Sequence, residues 1–448
     1  MNGALRQYLE LYDINNSLIC KGSAGAMNAL RPVARESLNG VRLPRKGDEG
    51  FEKTSVEEMF APDYGINLAR LNLPLDIAET FRCGVPNIST LLAIVGGDAF
   101  IPSQSLLKNT PPGVTVMSLA KAAVDHKDLV DKYYGCVAPL TSPGTALNTL
   151  LAQDGVFIHI GRNVHLEKPL QIVNILNTET PQLAFRRLLI IAEDNSSADI
   201  LVCEHTQGEA RNDCAISQVV EIITGPGADL RVYELEETGK TTRRYNQVYS
   251  RQHEGSSLNI TAATLLNGST RNEFNLSLEG QHCTTGLYGM AIGSDKQHID
   301  NQTSVIHRSP RCTSNQLFRY VLDDESTGSF EGGIEVTLDA PFTEAFQSNN
   351  NILASPEARM YTKPQLLIYN DEVKCSHGAT TGQLDALALF YMQTRGVPAE
   401  EARTMLMQAF MVDVINTVRL QTLRDRMRLL VEKRFDGTLG NCSRCSLP

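Results

Sequence analysis

The stretch VVEIITGPGADLRVYEL, residues 219–235, decides the fold. It contains two short runs of β-branched and apolar residues, 219–224 and 230–235, on either side of the turn sequence GPGAD. Runs of this kind, bounded by Gly, Pro and Asp, predict two strands joined by a turn. The pattern indicates β-structure and leaves the type of sheet open.

Similar runs recur from about residue 146 to 373. They arrive at intervals of about 10 to 20 residues, separated by clusters of Gly, Asn, Asp, Ser and Pro. Hardly any segment in this span has the sustained 3.6-residue period of a helix. The span is therefore predicted to be all-β, as a sandwich, a barrel or a β-solenoid. The other runs are residues 156–160, 170–175, 188–192, 200–202 and 258–263.

One polar run bears on the choice among these folds. Asn349, Asn350 and Asn351 follow Gln347 and Ser348. Such a run suits a solenoid corner, where side-chain amides can stack between coils, but it also fits a plain surface loop. No clear repeat unit is visible, so the pattern by itself does not select the solenoid.

The regions on either side of the β-rich span are expected to be helical. Residues 1–145 look mainly helical and loop-rich. Further on, Thr380 and Gln383 form a candidate capping box, and Gly396 supplies a stop before a second helix. The apolar stripes of these helices must be buried on their own domain or in the groove of a partner. The predicted domains are residues 1–145, 146–373 and 374–448.

Composition excludes several classes of function. A chain of 448 residues can hold two or three domains, and 42% hydrophobic and 21% charged residues describe an ordinary soluble globular protein. The net charge of −10 argues against a nucleic-acid partner. Residues 1–13 lack the basic and apolar regions of a signal peptide, and no apolar stretch is long enough to cross a bilayer. We expect a cytoplasmic protein without a membrane partner.

Ten cysteines are scattered along the chain without the spacing of a disulfide framework. Most are expected to be free thiols in the core. Cys442 and Cys445 form a CxxC near the C-terminus that could chelate a metal or form a reversible disulfide. Because no second CxxC exists to complete a zinc site, a flexible tail is the favoured interpretation.

Cys375 and His377 are the strongest candidates for chemistry. They stand two residues apart, where a strand-like pattern gives way to a helical one. In an extended chain residues i and i+2 project from the same face, so a thiolate and an imidazole converge as a soft or borderline metal requires. Two ligands cannot close a tetrahedral site, so partners must come from elsewhere in this chain or from another chain. The alternative is a buried structural Cys beside a His that hydrogen-bonds the backbone.

Other motifs are weaker. Residues 238–241, TGKT, resemble the last residues of a P-loop. Glu234 occupies the position where that loop needs its first Gly, so no bound nucleotide is expected here. Cys203 and His205 repeat the Cys-x-His spacing, and Cys283 directly follows a histidine. Each could add a ligand, but a satisfied core residue is the favoured interpretation of all three.

A polar stretch further along suggests a different class of protein. His298 and His307 lie in it and are most simply surface groups. Asp323, Asp324 and Glu325 suggest a β-helix carbohydrate-active enzyme that uses paired carboxylates. Against that alternative, the chain has no Trp to stack on a sugar and lacks a secretion signal. A solvated turn is the favoured interpretation of the three carboxylates.

The segment from residue 300 to 396 is recognisable as a whole. It includes TSNQLFRYVLDDESTGSFEGGI, QSNNNILAS and TKPQLLIYNDEVKCSHGATTGQLDALALFYMQTRGV. It closely resembles the SufB/SufD family of iron–sulfur cluster assembly proteins, and KCSHGATTGQLD is similar to the SufD branch. LNGVRLPRKGDEGFEKTSVEEMF and DGVFIHIGRNVHLEKPLQIVN resemble the N-terminal region and the first β-coil of SufD. The resemblance covers nearly the whole chain.

The resemblance implies a right-handed parallel β-helix flanked by N-terminal and C-terminal helical domains. It also implies a non-catalytic scaffold whose β-helix pairs with that of SufB and whose C-terminal helices dock the ATPase SufC. His377 matches the SufD histidine at the SufB interface near the nascent cluster, and Cys375 occupies the neighbouring motif position. A transient iron–sulfur cluster shared with SufB is thereby implied, with the missing ligands on SufB. When isolated, the chain could form a homodimer.

Overall fold

The computed structural model describes residues 3–71, 75–76, 91–208 and 212–439. Over these residues the chain forms a parallel β-helix made of two facing sheets, with helices packed on the outer face of each sheet. The predicted all-β core with helical ends is confirmed. The described part contains no helix that is long and apolar enough to cross a membrane.

The described residues form nineteen strands, numbered here in chain order. The strands are β1 Leu91–Gly96, β2 Ala99–Phe100, β3 Val114–Ser118, β4 Val156–Ile160, β5 Leu170–Asn177, β6 Gln182–Ala192, β7 Ser197–Gln207, β8 Cys214–Thr224, β9 Asp229–Glu237, β10 Thr242–Gln252, β11 Ser257–Leu266, β12 Ser269–Leu278, β13 Thr284–Gly293, β14 His298–His307, β15 Thr313–Leu322, β16 Thr327–Val336, β17 Thr343–Leu353, β18 Arg359–Ile368 and β19 Val373–Gly382. Each run that the sequence predicted to be β lies inside one of them.

The strands alternate between two sheets. Sheet A has the order β19-β17-β15-β13-β11-β9-β7-β5-β1-β2, and sheet B has the order β18-β16-β14-β12-β10-β8-β6-β4-β3. Neighbours are parallel except in the pairs β1–β2 and β3–β4. From β4 onward each coil therefore adds one strand to each sheet. The β-helix takes β1 and β3 from the region before residue 146, and its last strand runs on to Gly382.

One corner of the coil carries the repeat that was not visible in the sequence. Seven of the eight turns from sheet B to sheet A, all except the one between β18 and β19, contain a residue in the left-handed region, and the amide of that residue donates a hydrogen bond to a carbonyl of the next coil. The side chains at these positions differ widely, which hides the repeat. The seven residues are Asn163, Asn195, Gly227, Gly255, His282, Arg311 and Phe342.

The N-terminal helices cover the outer face of sheet B. Tyr8 packs edge-on against Phe185 of β6, with 6.3 Å between ring centroids. Arg31 is fully buried there and donates hydrogen bonds to backbone carbonyls, among them that of Ala152 at 2.7 Å. The hydrogen bonds of Arg31 satisfy its guanidinium and join helix Gly25–Ser37 to the C-terminal end of helix Pro143–Leu151. The helices are Ala4–Lys21, Gly25–Ser37, Val56–Met59, Leu119–Asp125, Lys127–Tyr133 and Pro143–Leu151, with a 3-10 turn at Pro102–Gln104.

Two C-terminal helices cover the outer face of sheet A. The helices Ala399–Ile415 and Gln421–Phe435 bury apolar residues such as Met411 and Leu430 against β-strand residues such as Ile292. Their apolar stripes are thus buried on the β-helix of this chain and not left for the groove of a partner. The preceding helix, Ala386–Thr394, has no buried residue.

Three predictions from the sequence, on Thr380, on Asn349 to Asn351 and on His307, were wrong. The N-cap of helix Ala386–Thr394 is Asp385, whose carboxylate accepts from two backbone amides, whereas Thr380 lies in β19. The Asn349 to Asn351 run lies within β17 and not at a corner or in a loop, although its amides do bond to the next coil. His307 is not a surface group, because it is fully buried and lies 2.8 Å from the Ser314 hydroxyl.

His298 is also not a plain surface group. Its Nε2 lies 2.8 Å from the hydroxyl of Thr54, and that hydroxyl also bonds to Asp300. Arg271 joins the same network through Asp300 at 2.6 Å and through the carbonyl of Gly50. The segment around residues 50–54 is therefore tied to sheet B by buried polar contacts.

Candidate functional site

The last coil is the open end of the β-helix. β18 has β16 as its one neighbour and β19 has β17, so each strand stands at the edge of its sheet within the described residues. An edge strand presents backbone N–H and C=O groups that another strand can bind. The predicted site residues lie on one of these two strands.

Cys375 and His377 lie on β19, which confirms that their segment is a strand. Cys375 stands beside Ala345 in the preceding coil, and His377 stands beside Gln347. Cys375 packs on the apolar cluster that includes Ile334, so its side chain faces the interior of the coil. Since the two residues are i and i+2 on a strand, the imidazole leaves the backbone on that same side.

The surroundings of the two side chains differ. Cys375 is half-buried, and burial raises the pKa of its thiol, so the isolated chain holds it protonated. A thiol of this kind becomes a good ligand when a metal or a nearby cation stabilises the thiolate. His377 is exposed, and its imidazole makes no hydrogen bond to any described residue. This disfavours the interpretation of a backbone-bonded structural histidine.

The described part of the chain supplies no third ligand. Nowhere in residues 3–71, 75–76, 91–208 and 212–439 do three or more His, Cys, Asp or Glu side chains converge closely enough to hold a metal ion. Cys375 and His377 therefore form only part of a metal site within the described residues of this chain. Cys442 and Cys445 lie outside the described residues.

A buried polar column lies beneath His377. Gln347 is 4% exposed, and its Nε2 donates to Oε1 of Gln316 at 3.2 Å. The same oxygen accepts from the Thr303 hydroxyl at 2.6 Å. Oε1 of Gln347 is buried and has no hydrogen-bond partner among the described residues. An amide oxygen so placed can accept from an imidazole N–H in the next coil and orient the ring.

Sequence reasoning did not place Gln347 beside His377. It stands 30 positions before His377, and only the register between coils brings the two residues together. A signal existed in the sequence, since Gln316 and Gln347 are spaced by about one coil, but the coil length was not known.

Two further contacts fix β19 to β17. Lys374 forms an ion pair with Glu344 at 2.9 Å near the start of the strand. Near its end the Asn350 amide donates to the Thr380 hydroxyl at 2.7 Å, and the Asn351 amide donates to the Thr380 carbonyl at 3.0 Å. The candidate ligands therefore stand on a strand that is held at both ends.

Large apolar side chains are exposed around the last coil. They lie on β17, on β18 and in the turns beside these strands, and a second group lies on helix Ala386–Thr394. Clusters of exposed apolar side chains mark surfaces that other proteins cover. The first group is Leu338, Phe342, Phe346, Tyr361, Leu367, Ile368 and Tyr369, and the second is Leu387, Phe390 and Tyr391.

The weaker cysteine motifs form no site in the described structure. Cys203 is buried between sheet A and the C-terminal helices, and burial raises the pKa of its thiol to about 12. Burial also lowers the pKa of His205. Cys283 is buried in the core between the sheets. Core packing, the favoured interpretation of these cysteines, is confirmed.

The remaining motifs lie in turns. Residues 238–241 join β9 to β10 and do not lead from a strand into a helix as a P-loop does. Glu234 is buried and accepts a hydrogen bond from the Asn246 amide at 2.9 Å. Asp323, Asp324 and Glu325 form the turn between β15 and β16, as the solvated-turn interpretation predicted.

Comparison with known families decides the relationship. Residues 174–410 match the SUF system FeS cluster assembly SufBD core domain, and residues 2–172 match the SufBD protein N-terminal region. The chain belongs to the SufBD family. The core-domain match runs from within β5 to within helix Ala399–Ile415 and includes both Cys375 and His377.

Several members of the SufBD family are similar to the chain over long stretches. An iron–sulfur cluster assembly SufBD family protein of Synechocystis is 27% identical over 420 residues, which cover 90% of each chain. The SufD protein of Bacillus subtilis is 27% identical over 329 residues, 72% of this chain and 74% of the relative. The SufD protein of Escherichia coli is 33% identical over 174 residues, 39% of this chain and 41% of the relative.

Proposed function

We propose that this SufBD family protein is the SufD-type scaffold subunit of a SUF complex that assembles iron–sulfur clusters. The observation that carries the proposal is the incomplete site on β19. Cys375 and His377 leave the strand on one side, at the open end of the β-helix, and the described chain supplies no third ligand. The motif KCSHGATTGQLD and the relatives named SufD favour the SufD branch.

The missing ligands would come from a SufB-type subunit. β18 and β19 leave the backbone groups of one edge unpaired, so a second β-helix can continue both sheets. The exposed apolar residues of the last coil, such as Leu367 and Tyr369, would be buried by that contact. Pairing there places a partner strand next to His377.

The iron–sulfur cluster is the cargo of this site and not a resident cofactor. A thiolate and an imidazole are both ligands that iron–sulfur clusters accept. The half-exposed position on an edge strand suits transfer, because a cluster bound at an interface is released when the interface opens. In this proposal the chain positions ligands and is not itself a catalyst.

The ATPase SufC would dock on the C-terminal helices. Helix Ala386–Thr394 buries none of its residues, and Leu387, Phe390 and Tyr391 are each at least 60% exposed. It follows β19 directly, so a movement of this helix reaches the strand that carries Cys375 and His377. ATP hydrolysis belongs to SufC, and this chain binds no nucleotide in the proposal.

Cluster reconstitution on the three-protein complex tests the ligand role. We expect His377→Ala to lower the iron and sulfide bound per complex, and Cys375→Ala to do so to a smaller extent. Ser376→Ala is the matched control, because residue 376 leaves the same strand on the other side. Gel filtration verifies that each variant still assembles. An undiminished cluster yield in an intact His377→Ala complex would refute the proposal that His377 is a cluster ligand.

A further inference from the structure

Two cysteines occupy the same position in neighbouring coils. Cys283 and Cys312 each follow a left-handed corner residue, and each precedes a threonine, Thr284 or Thr313, that pairs with the other in the parallel register. Adjacent strands lie about 4.8 Å apart. That spacing falls within the roughly 4.4 to 6.8 Å that a disulfide allows between Cα atoms.

The two sulfur atoms surround one backbone oxygen. Sγ of Cys283 and Sγ of Cys312 each lie 3.2 Å from the carbonyl oxygen of Gly280. Both residues are at most 1% exposed, so the two sulfurs are held together by the packing of the corner.

The pair divides into a nucleophile and a proton donor. The neighbouring Cys312 thiol, with the Ser256 hydroxyl 3.8 Å from the Cys283 sulfur, lowers the pKa of the Cys283 thiol to about 7. The neighbouring Cys283 raises the pKa of the Cys312 thiol. A lowered pKa makes a thiol more easily oxidised, and a second thiol beside it can condense with the resulting sulfenic acid to a disulfide.

The arrangement is not shared by the other thiols of the described structure. Cys203, Cys214 and Cys375 pair in register with residues other than cysteine. At the equivalent corner positions the other coils carry small residues that are not thiols, such as Ser256 and Thr343. A small side chain is therefore enough for the corner, and a stacked pair of thiols adds chemistry that packing does not require.

We propose that Cys283 and Cys312 form a reversible disulfide between neighbouring coils when the protein meets a peroxide. The Cys283 thiolate attacks one peroxide oxygen, the O–O bond breaks, and a sulfenic acid and one water form. The Cys312 thiol then attacks the sulfenic sulfur, which forms the S–S bond and releases a second water. Two electrons pass from the two sulfurs to the peroxide, and both thiol protons leave in the water.

A peroxide can reach the pair because the turns around it are at the surface. Arg311 and His282 are both exposed, and each directly precedes one of the cysteines. Each cysteine is thus the direct neighbour of an exposed residue. Hydrogen peroxide is small enough to reach such a position more readily than a larger oxidant, such as a disulfide reagent. The bond would tie β13 to β15, two coils below the β19 strand. It would therefore hold the coil spacing without using Cys375.

The experiment treats the full chain with hydrogen peroxide under native conditions, alkylates free thiols and digests the protein for mass spectrometry. We expect a cross-linked peptide pair that joins Cys283 to Cys312 and disappears after reduction with dithiothreitol. Cys283→Ser and Cys312→Ser should each lose the cross-link, and Cys214→Ser, which removes another buried thiol, should keep it. The oxidised wild type should also melt at a higher temperature than the reduced protein.

Two outcomes would overturn the inference. One is that the native wild-type protein, after peroxide, still yields fully alkylated Cys283 and Cys312 once it is unfolded. The other is that peroxide converts the two thiols to sulfinic or sulfonic acids with no cross-linked peptide. Because these measurements use the wild-type chain alone, they do not depend on cluster assembly or on any variant folding.

Discussion

Replacing Gly289 by Ala should destabilise the β-helix through one defined clash. Gly289 of β13 stands beside Phe318 of β15, and a Cβ at residue 289 would lie 2.3 Å from two ring atoms of Phe318. The ring is fully buried and packs on Phe330, with centroids 4.8 Å apart, so it has little room to move.

The expected loss is the difference between two effects. Overpacking a core of this kind costs about 1 to 3 kcal/mol. Replacing Gly by Ala recovers about 0.4 to 1 kcal/mol, because the unfolded chain has fewer conformations to lose. We therefore expect Gly289→Ala to lower the free energy of unfolding by about 1 to 2 kcal/mol.

Urea unfolding followed by circular dichroism measures this loss as a lower midpoint. Gly382→Ala is the matched control, since a Cβ there meets no atom within 4 Å, and it should leave the midpoint unchanged or slightly raised. The double variant with Phe318→Leu should lose less than the sum of the single losses, because the smaller side chain removes the clash. A midpoint for Gly289→Ala equal to or above that of the wild type would refute the reasoning.

Two further predictions concern polar groups, half-buried Arg434 and fully buried His307. Arg434→Met should lower the free energy of unfolding by about 2 to 3 kcal/mol. The reason is that Arg434 donates hydrogen bonds to the Leu265 carbonyl and, at 2.8 Å, to Ser294 and Gln297. An equal loss in the exposed control Arg428→Met, measured by the same urea unfolding, would contradict this prediction. Burial lowers the pKa of His307 to about 4, so the unfolded state binds a proton first as the pH falls. Wild-type stability should drop by up to about 3 kcal/mol between pH 6.5 and pH 4. His307→Gln should lose that part of the pH dependence. If the stability of His307→Gln falls with pH as that of the wild type does, the prediction is wrong.

The strands were predictable wherever burial on both faces made the sequence continuously apolar. Residues 156–160 illustrate this, since the predicted run and β4 have the same bounds. The later coils, such as β16, carry polar or glycine residues on alternate positions and gave weaker runs. The repeat at the corner was not predicted because it requires only a left-handed backbone conformation and no particular residue type. Asn195 and Arg311 both adopt this conformation although their side chains are unrelated.

The candidate site was predictable as far as local geometry determines it. The two-residue spacing of Cys375 and His377 is enough to put both on one side of a strand. That Gln347 lies beside His377 was not predictable, because only the register between coils brings the two positions together. Nor could the sequence show which apolar helix stays uncovered. Helices Ala386–Thr394 and Ala399–Ile415 both carry apolar residues, and only their packing separates them.

The central claim is that the open end of the β-helix meets a SufB-type partner next to Cys375 and His377. The most direct test places a photo-crosslinking amino acid at position 376 in the full chain and illuminates the cells in which it is made with its partners. The account predicts a cross-link to the SufB-type subunit, and none from a control position such as 36 on an N-terminal helix. A cross-link only to a second copy of this chain, or none at position 376, would contradict the account.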